Sequence, residues 1–176
     1  MHLKQSNKIS IKEIALFGML GAFMFASKLI MEVLPNIHLL GLLIVAFTVV
    51  YRAKALYPIY VFVLLNGIIS GFAMWWVPYL YIWTVLWGAV MLLPKNMPKA
   101  VKPFVYAVVS SLHGFLFGVL YAPFQALFFG LDFKGTLTWI AAGLPFDITH
   151  GISNLLCGAL ICPLVTVLRN AQKHIN

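Results

Sequence analysis

The sequence predicts an all-α integral membrane protein, a bundle of six transmembrane helices forming one domain over residues 1–176, with both termini in the cytoplasm. Three observations predict it. Hydrophobic residues fill 62% of the 176 positions and charged residues 9%, against about a quarter charged in a soluble domain, so there is too little polar surface to face water. Apolar runs close to the roughly 20 residues that cross a bilayer follow one another along the chain. Basic residues concentrate at alternate breaks between those runs.

The breaks are short and marked by Pro, Gly, Asn or Lys. A first helix over about 14–31 stops at Glu32-Val33-Leu34-Pro35-Asn36. A second, about 37–51, is short for a full span, which predicts tilt or burial within protein. Arg52, Ala53 and Lys54 turn the chain into a third helix, about 56–72. After Met74-Trp75-Trp76-Val77-Pro78 a fourth covers about 79–93. Pro94-Lys95-Asn96-Met97-Pro98-Lys99 reads as a loop because Pro98 cannot continue a helix. A fifth helix follows over about 103–124. The less apolar stretch 130–143 predicts a short interfacial segment around 137–142, and a sixth helix closes the chain over about 144–168.

Charge gives the orientation. Lys4, Lys8, Lys12, Arg52, Lys54, Lys95, Lys99, Lys102, Arg169 and Lys173 fall on one side of this six-helix chain, ten of its twelve Lys and Arg residues. Lys28 and Lys134 fall on the other. Cytoplasmic loops carry the excess of Lys and Arg, so the termini are inside and segments 32–36, 73–78 and 125–143 face outward. The net charge of +8 is accounted for by this arrangement and does not point to nucleic acid. Cys157 and Cys162 have no metal-ligand spacing, and the first apolar run is too long for a signal peptide.

Three groups of residues stand out within the spans. Small residues recur at Gly18, Ala22 and Ala26 on the first helix, at Gly67 and Gly71 on the third, and at Gly114 and Gly118 on the fifth. Such spacing lets another helix approach closely, either within the bundle or from a partner protein. On a regular fourth helix, Trp76, Tyr79, Trp83 and Trp87 form one stripe. Its outer members suit a membrane interface, and the deeper ones suit a pocket for a flat, partly polar ligand. On the sixth helix Asp147, His150 and Asn154, at i, i+3 and i+7, share one face. Polar groups at membrane depth are costly and point to function, with a structural Asp147–His150 lock as the alternative. His113 and Asn66 are further polar groups in spans. Asn36 and His38 stand where they could cap the same pocket from outside, and Lys28 and Glu32, at i and i+4, pair with each other.

No phosphate-binding loop, His-Glu-x-x-His or Gly-x-Ser-x-Gly is present. Four acidic residues give little to hold a metal. The expectation is a protein without catalytic residues, metal or cofactor.

The pattern resembles the substrate-binding S components of energy-coupling factor (ECF) vitamin transporters. It rests on chain size, six helices with both termini inside, basic cytoplasmic turns and a small-residue first helix. That family's Ala-x-x-x-Ala stands here as Ala22-Phe23-Met24-Phe25-Ala26. The resemblance implies a bacterial plasma-membrane subunit that captures a vitamin or precursor from outside. It also implies toppling in the bilayer within a complex of a transmembrane coupling subunit and two cytoplasmic ATPases. Mapped onto this chain, Trp76, Tyr79, Trp83, His113, Asp147, His150 and Asn154 would line the pocket. Asn36 and His38 would belong to its lid, and Gly18, Ala22 and Ala26 would face the coupling subunit. The second helix runs straight into Tyr51-Arg52 without the Gly-Pro-rich turn of several members, which points away from riboflavin or folate. Indoles beside Asp, His and Asn suit a pyrimidine such as the hydroxymethylpyrimidine precursor of thiamine, with pantothenate second. Two other classes compete: a scaffold or assembly subunit without ligand, and an intramembrane enzyme using His113 or His150 with Asp147.

Overall fold

The computed structural model describes residues 9–34 and 36–173; Lys4, Lys8 and Pro35 of the sequence reading lie outside them. The described residues form eight α-helices joined by short turns, with no strand among them. Helix α1 (Ile11–Met31) begins three residues before the expected start because Ser10 and Glu13 form a capping box. The Glu13 N–H donates to Ser10 Oγ at 3.2 Å, and the Ser10 N–H donates to the Glu13 carboxylate at 3.0 Å. Two orphan donors of the first turn are thereby satisfied.

Helix α2 (Leu40–Tyr51) is the centre of the molecule. Ten of its twelve residues are buried, as expected of a helix that is apolar all round. It packs against α4 (Tyr79–Leu92), α5 (Lys102–Phe115), α7 (Phe133–Gly158) and α8 (Ile161–Lys173). At about 1.5 Å per residue it is roughly 18 Å long, which fits the expectation of a helix enclosed by protein.

At Arg52, in the left-handed region with φ 54°, the chain turns through a 3-10 segment (Arg52–Ala55) into α3 (Leu56–Ser70). The turn is a reversal. The rings of His38 and Phe62 lie 6.3 and 6.0 Å from that of Trp83, whereas an uninterrupted helix would separate residues 38 and 62 by about 36 Å. A second 3-10 turn (Met74–Trp76) and Pro78 at the N-cap lead into α4. Helix α5 gives way at Leu116 to α6 (Phe117–Phe129). Helix α7 returns along α5 and α6, and α8 follows after a bend of 56°.

Four helical runs are long and apolar enough to cross a membrane: Ile11–Met31, Leu40–Ser70, Met74–Leu92 and Lys102–Phe129. The bent pair α7–α8 makes a fifth if taken as one span. Large apolar side chains such as Met19, Ile30, Ile68, Leu127 and Leu156 stand outward at 60% exposure or more, the surface that a multi-pass membrane protein presents to lipid.

The expected interfacial segment at 137–142 is instead part of α7, which starts at Phe133 with Asp132 as its N-cap. The Asp132 carboxylate accepts the Gly135 N–H at 2.7 Å. The helix then runs through Pro145, which the sequence reading placed near the start of a new helix. The expected sixth helix is interrupted at Ala159–Leu160, and the expected fifth at Leu116.

Candidate functional site

At the end of the bundle where α1 stops and α2 starts, a cavity of about 330 Å³ opens between the 32–39 loop and helices α1, α4, α6 and α7. Lys28, Glu32, Asn36, His38, Tyr79, Trp83, Phe117 and His150 line it, with Met31, Leu34, Ile37 and Leu40. Each helix delivers its residue through ordinary packing. Trp83 is 2% exposed and is the hub of the aromatic wall. Its ring lies 5.3 Å from Tyr79, 5.8 Å from Phe117, 5.9 Å from His113 and 6.3 Å from His38. His150 stands 5.0 Å from Phe117 and 4.9 Å from His38, ring to ring. Edge-to-face and tilted pairings of this kind fix aromatic rings in place.

What the packing leaves open is polar. The Nδ1 atoms of His38 and His150 and the Nε1–H of Trp83 are buried without a hydrogen-bond partner. Leaving such a group unpaired costs about 1–3 kcal/mol, and all three belong to residues that line one cavity. Two imidazoles and an indole can donate to and accept from a ligand with ring nitrogens or an amino group. Among the described residues Lys28 is the one cation on the wall, and Glu32 holds it at 2.8 Å, as its i, i+4 spacing predicts. Among the described residues no three His, Cys, Asp or Glu side chains converge to hold a metal ion.

The sequence-derived site residues divide between this cavity and the packing around it. Tyr79, Trp83, His150, Asn36 and His38 line the cavity. Asn36 takes φ 62°, a left-handed conformation that Asn tolerates better than most residues. His113 sits behind Trp83 and donates from Nε2 to the Ile82 carbonyl at 3.0 Å. Asp147 borders an adjoining cavity of about 210 Å³ with Tyr121, Trp139 and Phe146. Both its oxygens accept the Gly118 N–H at 3.1 Å, and no Asp147–His150 hydrogen bond forms. Asn154 lies deeper and donates to the Ser110 carbonyl at 3.1 Å, while its Oδ1 is unpartnered.

Trp76 is elsewhere. It belongs to the 3-10 turn before α4, so it leaves the helical stripe. It donates Nε1–H to the Val63 carbonyl at 2.7 Å and packs on Phe72. Trp87, at the stripe's other end, donates to the Arg52 carbonyl at 3.0 Å. Of these three tryptophans only Trp83 keeps an unpaired N–H. Replacing Trp76 by Phe is accordingly expected to lower stability by about 1 kcal/mol. Ligand affinity at the cavity should stay unchanged, as a melting curve and a binding titration on the same preparation would report.

Comparison of the chain with family models, with curated proteins and with solved structures gives no match. The reading of the site therefore stands on its geometry.

Phe117 and the Lys28–Glu32 pair are wall residues that the sequence reading did not assign to the pocket. Phe117 is one of 14 phenylalanines in an apolar chain. Its four-residue spacing from His113 was the available signal, since it places both rings beside Trp83. The small residues of the chain also separate. Gly21 meets Val61 and Pro58 of α3, and Gly114 meets the backbone of α7, whereas Gly18 has open space beside it. Ala22 and Ala26 are exposed.

Proposed function

We propose that this chain is the membrane-embedded substrate-binding subunit of an ECF-type importer, which captures a small heteroaromatic vitamin precursor from outside the cell. The observation that carries the proposal is the aromatic cavity lined by His38, Trp83 and His150, each of which keeps a buried, unpaired nitrogen. Its volume lies at the small end of ligand pockets, suited to a single ring with short substituents. A pyrimidine such as hydroxymethylpyrimidine presents the donors and acceptors these nitrogens lack. Pantothenate ranks second because its carboxylate would compete with Glu32 for Lys28.

Six passes follow from counting the reversal at Arg52 as two and the bent α7–α8 pair as one. On that count the cavity lies at the end opposite Arg52, Lys54, Lys95, Lys102 and Arg169, which the positive-inside rule makes extracellular, with both termini cytoplasmic. Gly18, Ala22 and Ala26 present a small-residue face on α1 that nothing among the described residues covers, suited to a coupling subunit that carries two cytoplasmic ATPases. The resemblance in helix number, charge and Ala22-x-x-x-Ala26 supports the same assignment.

The test is tryptophan-fluorescence titration of purified protein with hydroxymethylpyrimidine and with pantothenate, repeated on Trp83→Phe. Saturable quenching that is lost in the variant supports a binding subunit. No saturable response to either compound favours a scaffold without ligand, a reading supported by Asp147 and Asn154, whose hydrogen bonds tie α7 to α6 and α5. Ala22→Leu is expected to abolish co-purification with an ATPase-bearing complex while leaving the titration unchanged. Retained co-purification would reduce the stripe to a lipid-facing surface.

A further inference from the structure

The opposite end of the bundle holds a second cleft, about 240 Å³, that the importer reading does not use. Arg52, Lys95, Lys102, Tyr106 and Arg169 line it. The cations come from three separated stretches of chain: the α2–α3 turn, the start of α5 with the loop before it, and α8. Orientation in a bilayer requires only that basic residues lie on one side; it does not require four of them to meet around one hollow.

None of the four is neutralised among the described residues. Among the described residues the ion pairs are Lys28–Glu32 and Lys54–Glu13. No Asp or Glu lines the cleft, and Glu13 is held by Lys54 at 2.6 Å. Arg52 gives one guanidinium nitrogen to the Met91 carbonyl at 3.1 Å. That leaves the rest of its donor fork for a further acceptor. Tyr106, 7% exposed, has no hydrogen-bond partner for its hydroxyl among the described residues, so a polar side chain more than nine-tenths buried borders the hollow. Convergent Arg and Lys with a phenol donor make a receptor for tetrahedral oxyanions, which accept charge-assisted hydrogen bonds from several directions.

We propose that this cleft binds a phosphate-bearing anion, supplied either as the headgroup of an anionic lipid or as free phosphate. Basic pockets between membrane helices on the cytoplasmic side hold lipid phosphates in this way, and the site is independent of the aromatic cavity.

Native mass spectrometry of the purified full chain tests it with three probes: phosphatidylglycerol, phosphatidylcholine and inorganic phosphate. Wild-type protein is expected to retain phosphatidylglycerol over phosphatidylcholine, or to bind inorganic phosphate. The first result assigns the lipid source and the second the soluble one. The Lys102→Gln/Arg169→Gln double variant should weaken that binding about tenfold or more. A Lys12→Gln/Lys134→Gln control, which removes the same charge elsewhere, should stay within about twofold of wild type. Equal retention of the two lipids without phosphate binding overturns the proposal, as does an equal loss in the control. If the double variant does not fold, Lys102→Arg/Arg169→Lys replaces it. That variant keeps the charge and should keep the preference for anion, and loss of the preference in a folded charge-conserving variant also counts against the site.

Discussion

Gly114→Val is expected to destabilise the protein by about 3 kcal/mol or more, the upper range for overpacking in a close-packed interior. A Cβ at Gly114 would come within 2.8 Å of the Gly151 nitrogen and of the His150 carbonyl carbon and oxygen. These are backbone atoms of α7, so no rotamer change can relieve the clash. The helices must separate, and three neighbouring contacts oppose that. Ser111 donates to the Gly151 carbonyl at 2.9 Å, Asn154 donates to the Ser110 carbonyl, and Asp147 holds the Gly118 N–H. Gly158 lies just as close to Ala107, whose Cβ would stand 2.5 Å from an added methyl. Small residues and short polar side chains are what lets α5, α6 and α7 approach where the bilayer supplies no hydrophobic drive. The comparison variant is Gly88→Ala on α4, where nothing lies within 4 Å of the added carbon. It should change stability by no more than about 1 kcal/mol. Melting in detergent with a check of monodispersity measures both. A Gly114→Val protein that melts with wild type would mean that α5 and α7 do not pack this closely.

The approach of α5 and α7 was half legible in the sequence. Gly114 and Gly118 announce a close contact by their four-residue spacing, but spacing cannot say whether the partner is internal or a second protein. The same signal on α1 leads to a different place, since Gly21 packs on α3 while Ala22 and Ala26 stay exposed. Helix existence was legible because apolar runs must be long to cross lipid. Helix ends were less so. The sequence reading starts a new helix near Pro145, yet α7 carries the chain through it; membrane helices tolerate an internal proline. The turn at Leu116, between Gly114 and Gly118, and the bend between Gly158 and Pro163 do carry Gly and Pro, but these lie inside unbroken apolar runs and do not read as ends. Within the site, Asp147, His150 and Asn154 do lie along one face of α7, as their spacing predicts. What the spacing could not show is that Asp147 and Asn154 are hydrogen-bonded to neighbouring backbone while His150 faces a cavity. Trp76 was read into the aromatic stripe on the assumption of a regular helix, and the 3-10 turn at Met74–Trp76 removes it.

His150→Phe separates function from structure most sharply, because its two expected effects have opposite signs. Binding of whichever probe saturates the wild-type protein should weaken about 10- to 100-fold, the equivalent of one lost hydrogen bond to a buried group. Stability should be unchanged or slightly higher. Nδ1 of His150 is buried without a partner, and exchanging an unsatisfied polar atom for an apolar one of similar shape removes a desolvation penalty. The new ring would still pack against Phe117 and His38, which lie 5.0 and 4.9 Å from the present one. Asn154→Leu provides the contrast four residues further along α7. It removes the 3.1 Å bond to the Ser110 carbonyl and should lower the melting point, by about 1 kcal/mol of stability, with little direct effect on affinity. A histidine retained as a helix-to-helix tie would behave like Asn154, with a lower melting point on substitution. A histidine held unpaired for a ligand costs the empty protein something and returns it only when the cavity is filled, so ligand should raise the wild-type melting point and not that of His150→Phe. If His150→Phe melts lower and still binds, His150 belongs to the packing of the bundle and the cavity loses one of its three recognition atoms.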